Sequence, residues 1–97
     1  PKLLKKEPTI TDKQAEFFAD ITTIISDILD NMEFIKIKPE LYDDLKYMLK
    51  ALKNEVDSKN IKTTNALIIG TIYVLKQIRK LRKYENNFRD ALEELYL

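Results

Sequence analysis

From Thr11 onward, apolar residues return at steps of three and four, and polar residues fill the positions between them. The first such segment carries Ala15, Phe17, Phe18, Ile21, Ile24, Ile25, Ile28, Leu29 and Met32. At 3.6 residues per turn these side chains form one stripe, which predicts an amphipathic helix over 12–32. Thr11-Asp12-Lys13-Gln14 supplies its start as a capping box, with the Thr11 hydroxyl accepting from the Gln14 amide and Gln14 reaching back. Phe34, Ile35 and Ile37 then alternate with charged residues. A single strand would find no partner in this chain, so the segment is expected to be a connector that tucks its apolar side chains under the bundle. A second helix starts near Pro39, whose missing N–H costs nothing in a first turn, and buries Leu41, Leu45, Met48, Leu49, Leu52 and Val56. Asp57-Ser58-Lys59-Asn60 is its exit and loop.

The third segment is apolar nearly all round. Leu67, Val74, Ile78 and Leu81 fall on one face, whereas Ile68, Ile69, Ile72 and Tyr73 fall opposite. Thr63 or Thr64 is expected to cap this helix. Phe88, Ala91, Leu92, Leu95 and Tyr96 continue the helical period to the C-terminus. Two arrangements follow: a turn at Asn86-Asn87 that folds a fourth helix back, or one helix from 63 to 96, about 50 Å long at 1.5 Å per residue. The turn is preferred because it covers the second apolar face within one chain. The expected fold is therefore all-α, a compact three- or four-helix bundle, mostly antiparallel because its connections are short. Residues 1–10, without period and broken by Pro8, read as an N-terminal arm to a bundle domain over 11–97.

Composition narrows the chemistry. Ninety-seven residues, 44% of them apolar, suit one domain and one core. The chain has neither Cys nor His, which removes disulfides, thiolate chemistry and the commonest general base and zinc ligand. A single glycine, Gly70, excludes a Gly-rich phosphate loop. Asp27, Asp30 and Glu33, and the pairs Asp43-Asp44 and Glu93-Glu94, match no metal-loop spacing. The expectation is a non-enzyme with no cofactor and no metal. The longest apolar run, near Ala66–Leu75, is too short for a membrane span, and the protein is expected to be cytoplasmic.

Charge changes the picture more than composition does. Net charge is +1, yet it is unevenly spread. Residues 7–57 hold twelve acids against six bases, whereas residues 58–84 hold seven bases and no acid. Within that basic stretch, Lys76, Arg79, Lys80 and Lys83 fall within an arc of about 100° on a continuous helix, with Arg82 beside them. Such a stripe would suit a phosphate backbone, and Tyr84 would stack on an exposed base. The competing account is structural. Cations in the last turns of a helix offset its dipole, and acids of the first two helices would pair with them.

Tyr47 lies on the polar side of the second helix and is expected to be exposed. The leading functional expectation is a binding module that meets a protein partner, or a second copy of itself, through Ile68, Ile69, Ile72 and Tyr73, with Tyr47 as a further anchor. The alternative is a nucleic-acid-binding domain of a replication or transcription factor, using Lys76, Arg79, Lys80, Arg82, Lys83 and Tyr84. Two observations separate them: whether the Ile68/Ile72 face is covered, and whether acids lie against Arg79 and Lys83.

Overall fold

A computed structural model describes residues 11–96 as four α-helices joined by short connections: α1 (Asp12–Met32), α2 (Pro39–Asp57), α3 (Ile61–Leu75) and α4 (Arg82–Tyr96), the last entered through a 3-10 turn at Arg79–Leu81. The arm at 1–10 lies outside the described residues. No strand occurs among those that are described.

α1 begins as its sequence dictates. Thr11 Oγ1 accepts from the Gln14 amide at 3.0 Å, and Gln14 Oε1 accepts from the Thr11 amide at 3.2 Å. Two of the otherwise orphaned first-turn donors are thereby satisfied. The helix buries Phe17, Phe18, Ile21, Ile24, Ile25, Ile28 and Met32. Each such side chain contributes about 1.5–3 kcal/mol as an upper estimate, and this line forms one wall of the core. α2 starts with Pro39 in its first turn and buries Leu45, Leu49, Leu52 and Val56.

The α2–α3 loop is only three residues long. Lys59 sits in the left-handed region at φ 60°, where its amide donates to the Val56 carbonyl and that of Asn60 donates to Glu55. This is a Schellman closure with lysine where glycine is usual. Asn60 then caps α3, its side chain accepting from the Thr63 amide at 3.1 Å. The cap expected at Thr63 or Thr64 is thus displaced upstream, and Thr64 is instead fully buried in the core.

The break after α3 also differs from expectation. Asn86 and Asn87 lie inside α4, and no single helix runs from 63 to 96. The chain turns ten residues earlier, where the Gln77 amide bonds Val74 and the Ile78 amide bonds Leu75. Leu75, Ile78, Leu81 and Tyr84 are all buried, at a spacing of three. A tight turn with three residues per repeat keeps such a series on one side, and an α-helix would rotate it away.

Packing closes the bundle: α1 lies against α2 and α4, α2 against α3, and α3 against α4. At the end of α1, the Asn31 amide donates to the Tyr84 hydroxyl at the start of α4. At the start of α1, Phe17 shares a groove with Ala91 and Leu95 near the end of α4. These two helices therefore run in opposite directions. The same holds for α3 and α4, where Asn65 near the start of α3 hydrogen-bonds Tyr96 at the end of α4. One end of the bundle consequently brings together the α1–α2 connector and the α3–α4 corner, and a groove lined by residues of both marks the meeting.

Candidate nucleic-acid interface

The groove at that end encloses about 360 Å³ and is lined by Lys36, Ile37, Lys38 and Leu41 from one side and by Gln77, Ile78, Arg79 and Lys80 from the other. Its four cations are exposed, whereas Ile37 and Leu41 are half-buried and Ile78 is buried. No acid lines it. Glu33 and Glu40 flank the connector in sequence, but the groove lining does not include them.

Two local causes place these cations. Pro39 starts α2 and fixes an extended approach, with Lys38 at φ −55°, ψ 137°, so Lys36, Ile37 and Lys38 run outside any helix. On the facing side, Ile78 is extended at φ −122°, ψ 94° and turns its side chain into the core. That leaves Arg79 and Lys80 as the exposed first turn of a 3-10 segment that no side chain caps.

The structural account of the basic cluster fails at this corner. Lys76 caps the C-terminus of α3, as a cation should. Arg79, Lys80, Arg82 and Lys83, however, stand at the N-terminal end of α4, the positive end of its dipole. Each cation there is unfavourable by about 0.3–1 kcal/mol. Pairing does not offset this. Among the described residues, ion pairs join Lys53 to Asp57 and Arg89 to Glu85, and neither involves any member of the cluster.

The cluster is also not one helical stripe. The corner divides it, so that Arg79 and Lys80 line the end groove while Lys76 borders a different one, between α3 and α4. Arg82 and Lys83 are exposed at the start of α4, and Lys83 Nζ sits 5.1 Å from the centre of the Tyr84 ring. Tyr84 itself is only 4% exposed and accepts from Asn31, so it is a core residue and not a stacking platform. Sequence reasoning missed Lys36 and Lys38, which read as part of an apolar connector. The signal was present in the alternation Lys36-Ile37-Lys38, which points the two lysines the same way.

The second expected surface is largely dismantled. Ile68 and Ile72 are 0% and 7% exposed and belong to the core. Ile69 and Tyr73 remain outside, at 63% and 73%, along a groove completed by Lys76, Arg89, Leu92 and Glu93. Tyr47 is exposed, as its place on α2 predicts. Among the described residues no cluster of three or more potential metal ligands occurs, and no helix is long and apolar enough to cross a membrane. Comparison with protein-family models, curated proteins and solved structures yields no match to this chain.

Proposed function

We propose that this chain is a non-catalytic binding domain that holds a nucleic-acid backbone against the basic end of its bundle. The observation that carries this reading is the groove lined by Lys36, Lys38, Arg79 and Lys80 with no acid in its lining. Side chains that pay a dipole penalty and form no ion pair among the described residues are not accounted for by stability. A bound polyanion accounts for them, because each phosphate neutralised releases condensed counterions.

A net charge of +1 does not argue against this. Fields between exposed charges decay over about 10 Å at 0.1 M salt, so a phosphate at the groove responds to the local cations and not to the chain total.

Titration of labelled DNA and RNA across salt concentrations tests the proposal. Wild type should bind at low salt and weaken linearly in log–log form. Arg79→Gln and Lys80→Gln should each lower the slope by about one, and because both residues are exposed and oppose the α4 dipole, thermal stability should hold or rise slightly. Absence of binding to either nucleic acid at low salt refutes the reading.

A second reading rests on the exposed Ile69 and Tyr73 beside the α3–α4 groove. In it, that groove docks a protein partner or a second copy. Its apolar area is smaller than the sequence suggests, because Ile68 and Ile72 do not contribute to it.

A further inference from the structure

Phe34 is 85% exposed, the most exposed large apolar side chain among the described residues. The connector was expected to tuck its apolar residues inward, and Ile35 and Ile37 are indeed half-buried against the core. Phe34 goes the other way. Its backbone is nonetheless fixed, since its amide donates to the Asn31 carbonyl at 3.0 Å in the last turn of α1. An aromatic ring on a tethered backbone, left in water, has no packing reason to be aromatic.

Its position supplies a reason. Phe34 and Lys36 are two residues apart, no more than about 7.6 Å between Cα atoms, and Lys36 lines the basic groove. Phe34 does not itself line the groove, but its backbone leads directly into the connector that supplies Lys36 and Lys38 to it. Proteins that take single strands combine these two elements, a basic track for phosphates and an aromatic face for a base. In a duplex both faces of each base are already stacked, and a ring gains nothing unless it prises a step apart at a cost of a few kcal/mol.

Resting on the polyanion reading above, we infer that the bound nucleic acid is single-stranded and that Phe34 stacks on one of its bases while Lys36, Lys38, Arg79 and Lys80 hold the adjoining phosphates. Stacking on phenylalanine is indifferent to base identity, so the site reads strandedness and not sequence. Phe34 takes the role that the sequence suggested for Tyr84.

The test uses the full chain and fluorescence anisotropy with labelled oligo(dT), oligo(U) and a mixed-sequence duplex of equal length. Wild type should prefer the single strands. Phe34→Ala should weaken single-strand binding by about 5- to 100-fold, the range for one base on an aromatic ring, with duplex binding unchanged. Phe34→Tyr should restore the wild-type value. Circular dichroism melts of both variants should match wild type, because the side chain is in water. If wild type binds and Phe34→Ala stays within about twofold of it on oligo(dT) and oligo(U), the stacking inference is overturned while the basic groove stands. An equal loss on single strand and duplex overturns it as well. If wild type binds none of the three probes, the polyanion reading falls with it.

Discussion

Replacing Ile68 or Ile69 with alanine asks which face of α3 is the inside, and the two neighbours should behave oppositely. Ile68 is fully buried among the core residues of all four helices, and Ile69 is mostly in water. Truncating a fully buried isoleucine removes its transfer free energy and leaves a cavity, at a cost of about 2–5 kcal/mol. A chain of this length has about 5–15 kcal/mol of stability in all, so Ile68→Ala gives up a large share. Ile69→Ala loses roughly a third of a burial term of about 1.5–3 kcal/mol. It regains a few tenths of a kcal/mol because alanine is the better helix former. Its net change should stay within about 0.5 kcal/mol.

Urea denaturation followed by far-UV circular dichroism measures both. With a slope of about 1–3 kcal/mol per molar for a small domain, Ile68→Ala should lower the midpoint by about 2 M and Ile69→Ala by under about 0.5 M. Equal losses at the two positions, or a larger loss at Ile69, would refute this packing of α3. The second of these results would place Ile69, and not Ile68, at the centre of the buried side of α3.

Tyr84→Phe removes the hydroxyl that accepts from Asn31 and should cost about 0.5–1.5 kcal/mol in the same urea assay, with nucleic-acid affinity unchanged, because the ring is in the core. Gly70→Ala places a Cβ 2.7 Å from Met48 Cε, the far end of a flexible, half-buried side chain that can turn aside. Relief of the glycine penalty in mid-helix should then stabilise the chain by about 0.5–1 kcal/mol, read as a higher melting temperature, and a fall in that temperature would show that Met48 is held in place.

Much of the fold is legible in the sequence because α1 and α2 carry one apolar stripe and an explicit start signal each. The capping box at Thr11 and Gln14 and the proline at position 39 mark first turns whose chemistry is local. α3 defeats the same reading for a physical reason. Its buried line is Thr64, Ile68, Thr71, Ile72 and Leu75, and two of these five carry hydroxyls. Thr71 returns its Oγ1 to the Leu67 carbonyl at 2.7 Å and so enters the core as a methyl group. A hydropathy pattern scores both threonines as polar, which shifts the apparent faces to either side of the true one. The corner at Lys76–Ile78 is similarly quiet. It contains neither glycine nor proline, and only the spacing of three between Leu75, Ile78, Leu81 and Tyr84 marks it.

That corner is also where the site escaped the sequence. A helical wheel drawn through Lys76–Lys83 assumes one continuous helix, and on that assumption the cations sit at a negative dipole end where stability explains them. The break moves Arg79, Lys80, Arg82 and Lys83 to the opposite pole of the next helix, without changing a residue. The same turn carries Arg79 and Lys80 across to Lys36 and Lys38, some forty residues away in sequence, and separates them from Lys76. A charge run thus shows how much positive charge a segment holds but not which end of a helix it faces. The sign of its interaction with the backbone depends on that alone. Here the backbone opposes the charge, so a wheel that scores the run as stabilising has the sign of that interaction reversed.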